Sequence, residues 1–482
     1  MLGPLARTVI SRLALHEINE GKNVEAEMEA GLIGFVILLS LAFAGIHLGV
    51  AMFLTGFVGF AYFRSLDASA SLAGTLIFDA SMSYGFVMLP LFLLMGNLVY
   101  RSRLSEDLYD AANAWMGHRP GGLAKATIAA CGGFAAVCGS SIVTVTTMAS
   151  VAMPSMRRYK YDDGLSTGAI AAGGTLGILI PPSVLLVFYG ILTNSDIGKL
   201  FIAGIVPGLI SIFTYFVVID FMTRLRPELG PRGDCIPMGK RLLSLKKVWG
   251  IVVLFVFVLG GIYVGFVTPV EAGGVGAVGA LLFALGRRLL TFAAFQEALL
   301  QSIRTSAMLF FVIFGAQLFS AFINAADLPA QMLIWIHSLD LSAIGVMAII
   351  ILFYILFGCV FSAFAMVLLT VPVFFPLVAG LGLDTIFQTT PENIAIWFGI
   401  VVVVVAEIGQ ITPPIGMNVL VLKSMLPDVP LGKIFKGIIP FFGADLIRLA
   451  LIVMFPTWTV LALPDYMEQS QNSIAAFLGD LF

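Results

Sequence analysis

Apolar residues fall in long runs at about 31–63, 85–100, 122–153, 165–193, 199–223, 248–267, 270–286, 306–323, 341–378, 396–422 and 437–463, separated by short polar stretches. A helix of roughly 20 apolar residues spans the hydrocarbon of a bilayer, so the pattern predicts an all-α polytopic membrane protein. The runs are unequal. At about 33 residues, 31–63 makes roughly 50 Å of helix, too long for one upright crossing. It reads as two short helices meeting near Gly45, Ile46 and His47.

Within 165–193 and 396–422 a glycine stands four residues ahead of a double proline: Gly177 before Pro181 and Pro182, and Gly409 before Pro413 and Pro414. Proline breaks the backbone ladder and glycine loosens it, so each run predicts a transmembrane helix interrupted part-way through the bilayer. Pro182 and Pro414 suit the first positions of the second half-helices. Two other runs, 122–153 and 341–378, have polar centres: Cys138-Gly139-Ser140-Ser141 and Gly358-Cys359-Val360-Phe361-Ser362. Flanks of about 15 residues, roughly 20 Å of helix, let each run enter the bilayer, turn and leave by the same face as a re-entrant hairpin. The alternative for either run alone is a continuous helix whose small residues pack against a neighbour.

Loop charge bears on that choice, because basic loops stay cytoplasmic. Arg119 and Arg157 flank the first candidate hairpin, whereas 324–340 and 379–395, which flank the second, hold no Lys or Arg. Five crossings separate the hairpins (165–193, 199–223, 248–267, 270–286 and 306–323), and an odd number places them on opposite faces. Charge and parity therefore agree on an inverted repeat of broken helices around a midplane site. Ahead of the hairpins lie 104–118, with Leu108, Ala111, Ala112 and Trp115 at helical spacing and acids opposite, and 328–339, with Leu333, Trp335 and Ile336. These read either as amphipathic arms along the membrane surface, hinging a moving unit to a fixed one, or as solvated connectors. The expected organisation is a polar extension (1–30), scaffold helices with the first arm (31–118), a first repeat core (119–223), a basic cytoplasmic loop (224–247), scaffold helices with the second arm (248–340), a second repeat core (341–463) and a tail (464–482).

Composition narrows the chemistry. With 59% hydrophobic and 11% charged residues the chain is no soluble globule, and charges confined between apolar runs orient it in the bilayer rather than attract nucleic acid. Cys131, Cys138, Cys235 and Cys359 lack metal or disulfide spacing, and His16, His47, His118 and His337 form no ligand set. Residues 1–27 have no signal-peptide core; with Met28 at the edge of the first apolar run, they read as a short amphipathic helix or a start-site artefact. A P-loop and a Ser-His-Asp set are both missing, so no enzymatic activity and no cofactor is expected, and the energy source is an ion gradient.

An interrupted helix exposes carbonyls that can coordinate sodium and N–H groups that favour an anion. One expected sodium site joins Gly139, Ser140 and Ser141 to the chain around Gly177 and Pro181; the other joins Gly358 and Ser362 to Gly409, Thr412 and Pro413. Ser141, Thr412 and Asn418 are the polar side chains best placed for a carboxylated solute. Glu407, an acid in an otherwise apolar run, is either a coupling carboxylate or a group that supports the break by accepting N–H bonds.

The stretches Gly139-Ser140-Ser141 through Met153-Pro154, Gly173 through Ser183, Val371-Pro372 with Pro376, Leu381 through Asp384, and Glu407 through Asn418 resemble the two repeats of the large membrane subunit of TRAP transporters. The resemblance runs from about Met28 to Pro464. It implies ATP-independent, sodium-coupled uptake of an organic acid across a bacterial cytoplasmic (inner) membrane by an elevator motion. The implied partners are a soluble periplasmic substrate-binding protein and a small four-helix membrane subunit. Family ion sites fall on the same tips and breaks. Residues 1–27 and the tail from Asp465 exceed the usual core, and Cys138 and Cys359 stand beside the expected ligands. A stand-alone dicarboxylate carrier of the same superfamily and a non-transporting scaffold subunit are the alternatives.

Overall fold

The computed structural model describes residues 28–102, 104–288, 290–460 and 463. Every regular element among them is a helix. Seven are long and apolar enough to cross a bilayer: Tyr84–Arg101, Ile197–Leu225, Met238–Tyr263, Pro269–Gly286, Phe292–Ala325, Pro391–Ile411 and Leu431–Met454. The first apolar run is two helices, Met28–Phe43 and Leu48–Phe63. Gly45 between them has φ +84°, a left-handed conformation that glycine adopts without steric cost.

All four expected interruptions are present. Helix Gly122–Cys138 stops at Gly139, and Ser141–Arg158 begins after the extended Ser140. Helix Asp163–Thr175 tightens into a 3₁₀ turn at Leu176–Ile178, and the chain resumes as Val184–Thr193. Ala343–Gly358 and Ala363–Ala379 are separated by 359–362, and Pro391–Ile411 and Met417–Met425 by 412–416. The prolines stand outside the helices they were expected to open. Ser183 caps the helix that starts at Val184, its hydroxyl accepting from Leu186 N, and Gly416 precedes Met417. Pro182 and Pro414 instead follow cis peptide bonds inside the interruptions. A short helix, a broken pair, a broken helix and a long helix thus follow one another twice, from Leu104 to Leu225 and from Leu328 to Met454.

Two helices depart from the apolar pattern. Leu66–Met82 has no counterpart among the apolar runs because Asp67, Asp79 and many small residues dilute it. Phe292–Ala325 begins well ahead of 306; its early turns are polar, with Glu297 paired to Arg101 at 2.9 Å and Ser302 accepting from Asn97 at 2.8 Å. Amphipathic segments escape a reading based on continuous apolarity.

The described chain forms two compact units. One comprises 28–82, 308–347 and 368–383. Close approach of small residues builds it: a Cβ on Gly56 would stand 2.5 Å from the amide nitrogen of Phe319, so the two helices meet backbone to backbone. Helix Leu328–Ser338, the second expected arm, buries Leu328 and Ile336, while Trp335 is exposed and Leu333 half-buried.

The other unit comprises 83–307, 348–367 and the chain from Asp384 onward. Its centre is helix Pro391–Ile411, whose apolar window is 94% buried, so this span is walled by protein rather than lipid. Trp397 donates to the Ile452 carbonyl at 2.9 Å, and Tyr189 to that of Ala395 at 2.6 Å, anchoring the helix to its neighbours. In the first arm, Leu104–Met116, Ala111 is buried but Leu108, Ala112 and Trp115 are only half-buried. Glu106 and Asp110 face outward as expected, whereas Asp107 turns inward to pair with Arg287.

Candidate functional site

Each broken pair meets a broken helix at its tip, with glycine on the contact. Gly139 has φ +63°, and a Cβ there would lie 2.9 Å from the Pro182 carbonyl oxygen. A Cβ on Gly177 would lie 2.6 Å from the carbonyl oxygen of Ser140. In the second half of the chain a Cβ on Gly409 would stand 2.5 Å from the Cα of Gly358, and Gly416 N donates to the Cys359 carbonyl at 3.4 Å. Only a residue without a side chain lets main-chain oxygens crowd together in this way.

The four interruptions share one small cavity of about 30 Å³. Ser140 and Ser141 line it from the first tip, Ile178 from the first break, Ser362 from the second tip, and Gln410 and Met417 from the second break. A void of this size accepts a water-sized body and excludes a dicarboxylate. Ser141 ties the halves together: its hydroxyl reaches Gln410 Oε1, and also Asn418 Oδ1 at 2.8 Å. A hydroxyl carries one proton, so only one of these carbonyls can accept it. Asn418 Nδ2 is committed to the Ala171 carbonyl at 3.3 Å, which fixes its oxygen toward Ser141. The amide of Gln410 is therefore the one free to turn its NH₂ to the serine oxygen.

The remaining expected ligands lie around this junction with different surroundings. The Thr412 hydroxyl donates to the Ile408 carbonyl at 2.5 Å, leaving its lone pairs as its available chemistry. The Ser362 hydroxyl accepts from Ala365 N at 3.3 Å, so it also starts the following helix. Pro181 is buried, its ring close to Gly204, whereas Pro413 is exposed. Asn418 is fully buried with both amide atoms engaged inside the protein. Cys131, Cys138 and Cys359 are buried and Cys235 is exposed.

Glu407 has a partner that the sequence reading missed. Its Oε2 accepts from Arg448 Nη2 at 2.8 Å, and the same nitrogen stands 3.1 Å from Asp445 Oδ1. Tyr215 donates to Asp445 at 2.8 Å, and Arg448 also donates to the Ser211 hydroxyl. Glu407, Asp445 and Arg448 are completely buried. The carboxylate thus binds a guanidinium rather than the N–H groups of the break, and its Oε1 has no hydrogen-bond partner among the described residues. The cluster joins helices Ile197–Leu225, Pro391–Ile411 and Leu431–Met454. Its signal was visible as Asp445 and Arg448, one helical turn apart inside the apolar run 437–463.

Comparison with known proteins agrees with this architecture. Residues 35–458 match the family described as "Tripartite ATP-independent periplasmic transporter, DctM component". The chain is 36% identical over 408 residues to the C4-dicarboxylate TRAP transporter large permease protein DctM of Pseudomonas aeruginosa, covering 84% of this chain and 92% of that one. It is 28% identical over 428 residues to the sialic acid TRAP transporter large permease protein SiaM of Vibrio cholerae, covering 88% and 96%. Among solved structures, the Alcanivorax borkumensis YdaH transporter shares the fold at a TM-score of 0.61 and 14% identity, over 83% of this chain and 91% of that chain. A family pattern running through both sets of interruptions, and a relative aligned over most of both lengths, place this multi-pass membrane protein in the DctM family: it is a large permease of the tripartite ATP-independent periplasmic transporters, not an enzyme.

Proposed function

We infer that the chain uses a sodium gradient to move an organic acid inward across the bacterial inner membrane. The observation that carries this reading is the convergence of four chain interruptions on one ion-sized cavity. Ser140, Ser141 and Ser362 line it, and a serine hydroxyl is a hard oxygen ligand of the kind sodium takes. In this reading the two broken pairs are re-entrant hairpins of opposite orientation. Gly139, Ser140, Ser141, Gly177 and Pro181 serve one sodium site; Gly358, Ser362, Gly409, Thr412 and Pro413 serve the other.

A cavity too small for an organic acid fits a cycle in which cargo enters only after the tips move, as in an elevator motion of the hairpins and broken helices against a scaffold. Ser141, Thr412 and Asn418 are the side chains offered to the carboxylate. Asn418 must give up an internal hydrogen bond to reach it. Glu407, held by Arg448, serves coupling indirectly, by fixing the helix that carries Gly409 two residues on. The partners are a soluble periplasmic binding protein that captures the acid and a small four-helix membrane subunit. The relatives' names point to carboxylates such as C4-dicarboxylates or sialic acid.

Uptake in proteoliposomes, with the cognate binding protein and small subunit, tests the assignment. Ser141→Ala strands the buried Asn418 carbonyl, a cost of about 1–3 kcal/mol for a buried group left unpaired. Both Ser141→Ala and Thr412→Ala are expected to weaken sodium-dependent uptake while membrane insertion stays intact. Unchanged sodium dependence in both variants would remove these residues from the site.

A further inference from the structure

We propose that the groove between helices Met238–Tyr263 and Pro269–Gly286 is a binding site for an anionic phospholipid of the cytoplasmic leaflet. The groove encloses about 650 Å³ and is polar at one end only. Lys246 and Lys247, in the third turn of the first helix, and Arg287, just past the last turn of the second, stand at that end. Val253, Leu282 and Phe283 carry its wall down into both spans, and Val253 and Leu282 are at least half exposed. Gly250 opens the floor where the Phe283 ring crosses it. Trp249, 58% exposed and edge-on to Phe283 at 5.6 Å, stands beside the lysines, where an indole belongs at a membrane–water boundary.

The charges select the headgroup. Arg287 is already paired with Asp107, donates to the Ser102 carbonyl and lies 5.6 Å over the Phe283 ring, so it is held in place rather than free. Asp110 lies within electrostatic reach of Lys247. Glu106 and Asp107 lie near Asp110 in turn. Lys246 forms no ion pair among the described residues, so its ammonium is the cation at the mouth left for an anion. A headgroup bearing net negative charge fits this end, and an acyl chain fits the apolar wall. A free anion would leave that wall unused. Basic pockets between transmembrane helices on the cytoplasmic side are suited to anionic lipid, and the basic stretch 224–247 is the part of the chain that loop charge places there.

Native mass spectrometry of the full chain, purified in a neutral detergent and titrated with phosphatidylglycerol or phosphatidylcholine, tests the proposal. One phosphatidylglycerol per chain should be retained in preference to phosphatidylcholine. The double variant Lys246→Gln/Lys247→Gln should bind it roughly tenfold or more weakly, since each basic residue near the surface adds to the attraction. That variant keeps Arg224, Arg226, Arg232, Lys240 and Arg241, so its orientation in the membrane is preserved. Val253→Trp, which fills the groove without touching a charge, should also lower retention. Equal retention of the two lipids, or unchanged binding in both variants, would overturn the assignment. So would competition by glycerol phosphate as effective as by the intact lipid, which would make this a simple anion site. Displacement of the lipid by a co-purified membrane subunit would make it a protein-docking face and would equally overturn it.

Discussion

Replacing Arg448 with Ala is expected to cost the protein about 3–5 kcal/mol, the penalty of breaking a buried ion pair by removing one partner. Glu407 and Asp445 would then stand side by side with no countercharge, both wholly enclosed. Thermal unfolding of the purified chain in detergent should reveal the loss as a lower midpoint. The triple variant Arg448→Met/Glu407→Gln/Asp445→Asn removes every charge from the cluster and should recover most of the stability, since the ion pair itself adds little beyond compensating its own desolvation. Equal destabilisation in the single and triple variants would show that shape, not charge compensation, is what the cluster provides.

Gly409→Ala is expected to abolish sodium-dependent uptake in a chain that still inserts. The new methyl would be directed at the main chain of Gly358 at 2.5 Å, and backbone cannot rotate away as a side chain can. Overpacking of this kind costs about 1–3 kcal/mol, and relief comes only by separating the tip from the break. Gly432→Ala is the control: its Cβ position has open space and it lies in the same unit, so uptake should be unaffected. Uptake retained in Gly409→Ala would mean that tip and break need not touch during transport.

Much of this architecture could be read from the chain because the bilayer penalises every backbone irregularity. A Gly followed by Pro-Pro, or a polar Gly-Ser centre in an apolar run, is poorly tolerated there unless the protein uses the break. Hence the interruptions at Gly139, Gly177, Gly358 and Gly409, and the division of 31–63, appear where apolar length and proline spacing put them. The double prolines marked each gap but not where the helix resumes, because Ser183 can cap and a proline has no hydroxyl to do so. Helix Leu66–Met82 and the early turns of Phe292–Ala325 were hidden by their mixed polarity.

Ser140, Ser141 and Ser362, which line the cavity, could be singled out because they belong to the interruptions themselves. Gln410 stood within a stretch already singled out, yet its bond to Ser141 spans 269 residues, and no local pattern encodes such a contact. Arg448 and Asp445 were legible as an intramembrane pair one turn apart, and any charge in an apolar run calls for a partner. What could not be read was that the partner is Glu407, since three helices must pack before these groups meet.

The most direct test of the proposed sodium site is a sodium titration of thermal stability on the purified full chain, with potassium and choline as controls at matched ionic strength. A ligand that binds only the folded state stabilises it by about 2.7 kcal/mol at 100 times its dissociation constant. The unfolding midpoint should therefore rise with sodium and not with choline, and Ser140→Ala/Ser362→Ala should abolish the rise. An identical rise with choline, or a sodium response unchanged in that double variant, would contradict a cation site where the four interruptions meet.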